Sequence, residues 1–165
     1  MVLGFAGWSG SGKTTLIKNI IPYLNRLNIS VSTLKHAHEG FDIDQPGKDS
    51  FVHREAGTKE VLISSNKRFA LMHEYKEAEM RLSNLLKKLQ PVDLILVEGW
   101  KSEKHRKIEV FRSCINKPLL CEKDNNIIAI ATDNINLNYP GKKILNLNDY
   151  NSISLFIKSL LKENS

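Results

Sequence analysis

Gly7-Trp8-Ser9-Gly10-Ser11-Gly12-Lys13-Thr14 satisfies the pattern G-x-x-x-x-G-K-[ST]. The apolar stretch Val2-Leu3-Gly4-Phe5-Ala6 precedes it, and apolar residues recur at helical spacing from Leu16 to Leu27 after it. The octet therefore joins a buried strand to a helix N-terminus, the setting in which this pattern cradles a polyphosphate. Glycines let the backbone turn its N–H groups inward, and the first turn of the helix adds partial positive charge. Ser9, Gly10, Ser11 and Gly12 are the expected cradle. Lys13 is placed to reach the β- and γ-phosphates, the Thr14 hydroxyl to ligate Mg²⁺, and Thr15 to reach the α-phosphate.

A phosphate loop at the end of a first strand predicts an α/β protein of the P-loop NTPase class, with a mostly parallel central sheet and helices on both faces. Such a sheet gathers its ligands at the carboxyl ends of its strands. Asp93-Leu94-Ile95-Leu96-Val97-Glu98-Gly99 reads as a parallel strand buried on both faces, with acids at its two ends. At about 3.3 Å per residue those acids lie about 16 Å apart, so only Glu98 shares an edge with the phosphate loop. Glu98 is expected to serve Mg²⁺ or to place an attacking water, and Asp93 to be a strand-start or surface residue.

The same rule gives meaning to two further strand ends. Val31-Ser32-Thr33-Leu34 leads into Lys35-His36-Ala37-His38-Glu39, where the two histidines are either polar loop residues near a phosphate or a metal pair. Ile127-Ile128-Ala129-Ile130-Ala131 leads into Thr132-Asp133, where an Asp carboxylate could accept from guanine N1 and N2. Trp100 to Lys107, with Lys101, Lys104, His105, Arg106 and Lys107, is expected at the Glu98 edge, as a solvated loop or an anion-docking surface.

The remaining stretches read more simply. Gly40 to Ser50, rich in turn formers and acids, is expected to be a mobile loop closing over a nucleotide. Asp49 precedes a helix expected over Phe51 to Ala56, where it is either the N-cap or a contact to Mg²⁺. Val61 to Ser64 and Phe69 to Met72 suit a hairpin. Leu82, Leu85, Leu86 and Leu89 predict an amphipathic helix from about Glu77 to Leu89. In the first helix Pro22 predicts a kink and Asn28 a left-handed stop. The C-terminal helix, with Ile153, Phe156, Ile157, Leu160 and Leu161 on one face, is expected to be capped by Asn148 or Asp149. Arg54 and Arg68 are the arginines considered for assisting hydrolysis, and nothing in the spacing supports either.

At 165 residues the chain is expected to form a single nucleotide-binding domain over 1–165. No run is apolar and long enough to cross a bilayer, so neither a membrane nor a secretory route is expected. Two cysteines, Cys114 and Cys121, are too few for a disulfide framework and fit free thiols in a reducing cytoplasm. The net charge of +6 is modest, and with no recognised nucleic-acid module it points to an anionic small molecule or an acidic protein.

Gly7 to Thr15, Lys35-His36-Ala37-His38, Pro46-Gly47-Lys48-Asp49-Ser50, Arg54-Glu55-Ala56-Gly57, Ala70-Leu71-Met72 and Leu94 to Gly99 occur in one order that spans nearly the whole chain. Together they resemble the molybdopterin-guanine dinucleotide biosynthesis adapter family, MobB. The resemblance implies a homodimer that binds GTP with Mg²⁺, hydrolyses it weakly, and assists the MobA-type guanylyltransferase that attaches GMP to molybdopterin. It also implies Mg²⁺-linked carboxylates at Asp49 and Glu98, and anionic molybdopterin is expected near the basic edge. The alternatives are a small-molecule kinase with the same loop and a lid, and a metal-delivery GTPase using His36 and His38.

Overall fold

A computed structural model describes residues 1–37, 40–76 and 78–163. In chain order the elements are β1 (Val2–Ala6), α1 (Lys13–Arg26), β2 (Val31–Lys35), α2 (Asp49–Glu55), β3 (Glu60–Ser64), β4 (Phe69–His73), α3 (Leu82–Leu86), β5 (Leu94–Glu98), β6 (Lys107–Phe111), β7 (Ile127–Thr132), β8 (Lys143–Asn146) and α4 (Tyr150–Lys162). Contacts divide them into two compact units, Met1–His36 with Leu89–Ser165, and Ala37–Lys88.

The first unit is built on a six-stranded sheet in the order β2-β5-β1-β6-β7-β8. Every neighbouring pair is parallel. The predicted mostly parallel α/β sheet is therefore present, and its apolar strands follow from burial on both faces. On one face Leu3, Phe5, Leu94, Leu96, Ile108 and Val110 meet the stripes Leu16, Ile20, Leu24 of α1 and Ile153, Ile157, Leu160 of α4. The α1 stripe continues through Pro22, and the helix closes at Leu27 before Asn28 takes the predicted left-handed conformation, φ 58°. Asp149 is the cap of α4, its carboxylate accepting from Ser152 N–H at 2.9 Å.

Within this unit both helices share that face, and the opposite one is covered differently. Ala6, Ile127 and Ile130 pack there against Cys121 and Leu120 of a short 3₁₀ turn, Leu120–Glu122, and against Leu119 just before it. Glu109 holds this cover in place. Its fully buried carboxylate accepts the N–H groups of Leu120 at 2.7 Å and Cys121 at 2.9 Å. Burial nevertheless raises its pKa above the usual carboxylate range. Both cysteines are free thiols, and burial pushes Cys121 up to about 11.

His105, just before β6, is half-buried against the Gly4 backbone. Burial, reinforced by the charge of Lys107, lowers its pKa. The folded protein thus holds a proton at His105 less tightly than the unfolded chain does. Stability attributable to this group is complete above the unfolded value of about 6.5 and falls as pH drops below it. The urea midpoint should decline more between pH 7.5 and 5.5 in the wild type than in a His105→Gln variant.

The second unit pairs β3 with β4 as the predicted antiparallel hairpin, Leu62 opposite Leu71 and Ser64 opposite Phe69. Arg54 ties its preceding loop together, donating to Asp42 at 2.7 Å and Asp44 at 2.9 Å, with Glu74 at 3.6 Å. The segment read as a mobile loop is thus anchored at two carboxylates, and Arg54 is engaged structurally. The helix predicted over Glu77 to Leu89 is a single short turn, α3. Its stripe has no upstream continuation, because Ala78 and Glu79 occupy the positions one turn before Leu82. Glu77 lies outside the described residues. No described helix is long and apolar enough to cross a membrane.

Candidate functional site

Parallel pairing brings the carboxyl ends of β2, β5, β1, β6 and β7 to one edge, and residues 7–13 leave β1 there. The loop turns on a Ser11 N–H to Trp8 C=O hydrogen bond of 3.1 Å. Gly7 is required by close approach, since a Cβ there would stand 2.6 Å from both Ser11 Oγ and the Val110 carbonyl. Gly12 is required by conformation, because φ is +93° where the loop enters α1.

The loop is built to receive an anion. α1 has no side-chain cap and no acidic residue in its first turn, so its leading N–H groups are left to a ligand. Ser11 is fully buried, and its hydroxyl has no hydrogen-bond partner among the described residues. Lys13 folds back over the loop, its ammonium donating at 3.0 Å to the carbonyls of Gly7 and of Trp8. Burial lowers the Lys13 pKa, Glu98 opposes that shift, and Lys101 and Lys35 add to it. Ser9, Gly10, Thr14 and Thr15 are exposed.

Glu98 aligns with Phe5 of β1 and Lys35 of β2, which sets it beside the first turn of α1. The Thr14 hydroxyl lies 3.1 and 3.3 Å from its two carboxylate oxygens. A hydroxyl and a carboxylate in contact are hard oxygen donors suited to Mg²⁺, which takes one or two protein ligands and fills its octahedron with phosphate oxygens and water. The residues present therefore fit both a polyphosphate and its metal. Among the described residues no cluster of three His, Cys, Asp or Glu forms a metal cage. Asp93 closes the opposite end of β5, accepting from Ser30 N–H at 2.7 Å and Ser30 O–H at 2.6 Å, as expected of a strand-start residue.

Gly99 follows Glu98 with φ +110°, and a Cβ there would stand 2.6 Å from His36 Cβ. His36 packs its ring on Trp100 at 5.0 Å between centroids. Gly99→Ala should destabilise the protein by about 1–3 kcal/mol through backbone strain and displacement of Glu98, read as a lower urea midpoint. His38 and Glu39 lie outside the described residues.

Asp49 belongs to the second unit and is exposed there. It is the first residue of α2, and Lys48 occupies the cap position, so the N-cap reading of Asp49 is replaced by a first-turn position. Its carboxylate favours the positive end of that short helix by charge alone.

The basic segment is corrected by strand direction. β5 and β6 both run parallel to β1, so the chain leaves the carboxyl edge at Gly99 and must return toward the amino edge before Lys107. Lys101 stays at the loop, 5.9 Å over the Trp8 ring. Arg106 does not: its carbonyl accepts from Gly4 N–H at 2.8 Å, and its guanidinium is 3.5 Å from Glu163. Lys107 is buried in β6, paired with Asp124 at 2.9 Å. A cleft of about 680 Å³ lined by Met1, Asp93, His105, Arg106, Lys158 and Lys162 opens on that amino side, away from the phosphate loop.

Two cations the sequence reading passed over stand at the loop instead. Lys117 lies 5.8 Å over the Trp8 ring, whose indole N–H donates to Pro118 C=O at 2.8 Å. Arg112 donates from Nε to Ser11 C=O at 3.2 Å and faces Asp133 Oδ2 at 3.7 Å. Asp133 Oδ1 also accepts from Ser113 N–H at 3.2 Å. Thr132 is fully buried, its hydroxyl accepting from Asn134 N–H at 3.1 Å. Arg112 directly follows β6, so the carboxyl-edge rule that pointed to Lys35 would have pointed to it.

Comparison with known proteins agrees with this architecture. Residues 2–133 match the model of the family described as molybdopterin guanine dinucleotide synthesis protein B. The chain is 40% identical over 161 residues to the molybdopterin-guanine dinucleotide biosynthesis adapter protein of Escherichia coli K12, covering 94% of this chain and 90% of that one. It is 38% identical over 165 residues to the adapter protein of the same description from Haemophilus influenzae Rd, covering 97% and 89%. The crystal structure of a molybdopterin-guanine biosynthesis protein B superposes with a TM-score of 0.76 at 27% identity, over 97% of this chain and 99% of that one. Bacillus subtilis MobB shares the fold with a TM-score of 0.74 at 23% identity, over 95% and 96% of the two chains. By sequence and by fold the chain belongs to the molybdopterin guanine dinucleotide synthesis protein B family, MobB.

Proposed function

We propose that this chain is a cytoplasmic adapter in the synthesis of molybdopterin guanine dinucleotide. It binds GTP with Mg²⁺ at its phosphate loop and presents it in company with the guanylyltransferase that joins GMP to molybdopterin. The observation that carries the reading is the Thr14–Glu98 contact beside an uncapped helix and an orphaned Ser11 hydroxyl, in a chain whose family relatives carry that biosynthetic description.

Ser9 to Thr15 bind the phosphates through backbone N–H groups, with Lys13 exchanging its loop carbonyls for phosphate oxygens. Thr14 and Glu98 hold the metal. Bound Mg²⁺ would offset charge on the β- and γ-oxygens. Glu98 orients water slowly, so hydrolysis is minor and the chemical step belongs to the transferase. The exposed hairpin face of Leu62, Phe69 and Leu71 supports a homodimer. Lys101 and Lys117 beside Trp8 favour an anionic partner or its pterin phosphate at the loop.

Calorimetric titration of GTP and ATP, with and without Mg²⁺, followed by transferase assays with and without the chain, tests the reading. The expected result is Mg²⁺-dependent preference for GTP and faster dinucleotide formation. Equal ATP affinity, or no effect on the transferase, would overturn it.

A further inference from the structure

The site has two flanks that differ in chemistry. On the β5 side of the loop, Thr14 and Glu98 supply the oxygens suited to a metal, and Mg²⁺ binds the outer phosphates of a nucleotide. A nucleotide whose outer phosphates lie there must extend its sugar and base across the other flank, over the ends of β6 and β7. Strands stand about 4.8 Å apart, so the end of β7 is about 10 Å from that of β1, the span of a ribose and a base ring.

Arg112 and Asp133 occupy that flank and are tied to each other and to the loop. The guanidinium spends Nε on Ser11 C=O at 3.2 Å and faces Asp133 Oδ2 at 3.7 Å. Its Nε and Nη2 stand 3.5 and 3.6 Å from where a Cβ on Gly12 would lie. Asp133 Oδ1 is held from the other side by the N–H of Ser113 at 3.2 Å and its hydroxyl at 3.4 Å. A carboxylate accepts at about four lone-pair sites. Oδ1 is filled by Ser113, and among the described residues Oδ2 has only the long approach of Arg112, so acceptor capacity is left for donors arriving from a base.

We propose that Arg112 is a positioning residue for base recognition, fixing the Asp133 carboxylate to the phosphate loop so that Asp133 accepts the N1–H and 2-amino group of guanine. This deepens the GTP-binding reading above and rests on it. Base discrimination then depends on Arg112, whereas phosphate affinity resides in residues 9–15 and survives its loss.

The test compares the full-length wild type with Arg112→Gln, Arg112→Lys and Asp133→Asn, titrated with GTP, with ITP, which lacks the 2-amino group, and with inorganic tripolyphosphate. The wild type should prefer GTP to ITP by about tenfold or more, the worth of one hydrogen bond to a charged group. In Arg112→Gln and Asp133→Asn that ratio should collapse toward one while tripolyphosphate affinity stays within twofold. Arg112→Lys should recover part of the ratio. Equal losses of GTP and tripolyphosphate would make Arg112 only a brace of the loop and overturn the proposal. So would an unchanged GTP/ITP ratio in Arg112→Gln, or no preference in the wild type. Asp133→Asn supplies the same readout if Arg112→Gln fails to fold. A wild type that binds GTP in a Lys13-dependent way, with silent Arg112 and Asp133 variants, fails this proposal alone. A wild type without GTP binding fails the underlying function.

Discussion

Lys13→Ala should lower GTP affinity by about 100-fold while leaving the melting temperature of the nucleotide-free protein nearly unchanged. Without ligand the Lys13 ammonium rests on the Gly7 and Trp8 carbonyls, at 3.0 Å each. Both hydrogen bonds are only part-buried, so water can replace the lost donor at little net free energy. With a polyphosphate in the loop the same ammonium meets oxygens that carry full charge, and each such hydrogen bond is worth about 1.5–3 kcal/mol. Even after allowance for solvent around a half-buried group, about 3 kcal/mol disappears with the side chain, or roughly 100-fold in Kd. Burial and the neighbouring Lys35 and Lys101 already press Lys13 to shed charge, and an incoming polyphosphate reverses that pressure. Lys13→Arg should not restore binding, because a planar fork cannot take the place of a compact ammonium inside a closed loop. Titration calorimetry with GTP reads both variants, and an unchanged affinity in Lys13→Ala would remove the site assignment.

Those parts of the site fixed by local covalent geometry are legible in the chain. Gly7 and Gly12 occupy positions that other residues enter only with strain or collision, so the loop announces itself. Choosing Glu98 over Asp93 needed only strand polarity, and the Ser30 contacts of Asp93 agree with it. Direction across a crossover was the weak point. Ile108 to Phe111 was readable as a strand, but its parallel pairing with β1 is what carries Arg106 and Lys107 away from the loop and delivers Arg112 to it. Leucine spacing overstated α3, because a stripe one turn long gives a helix little to pack. The alternation Lys107-Ile108-Glu109-Val110 also reads as a strand wet on one face, and that face is buried. Only tertiary structure supplies the partners that make Lys107 and Glu109 tolerable there.

The consequence for Lys107 is a pair of unequal mutational effects. Its side chain is 2% exposed, and its ammonium bonds Asp124 Oδ2 at 2.9 Å as well as the Glu103 carbonyl. Asp124 is 22% exposed and keeps other donors, Asn126 N–H at 2.9 Å and the Asn126 amide at 2.8 Å. Removing the acid leaves a buried cation with one carbonyl, whereas removing the cation leaves an acid that Asn126 and nearby water still serve. Asp124→Ala should therefore cost about 3–5 kcal/mol, a fall of roughly 10 °C in melting temperature. Lys107→Met should cost less, because Met fills the aliphatic stem and carries no charge to strand. Acid separates the two as well. Burial raises the Asp124 pKa, but the Lys107 and Asn126 hydrogen bonds outweigh it and hold the carboxyl below its usual range. A depressed carboxylate contributes stability that is present above the unfolded value of about 3.9 and is lost as pH falls through the folded one. Urea unfolding at pH 7 and pH 3 should show a smaller acid loss in Lys107→Met than in the wild type. If Lys107→Met proves the costlier change, the stranded cation is not what the pairing prevents, and the Glu103 carbonyl alone must suffice to hold it.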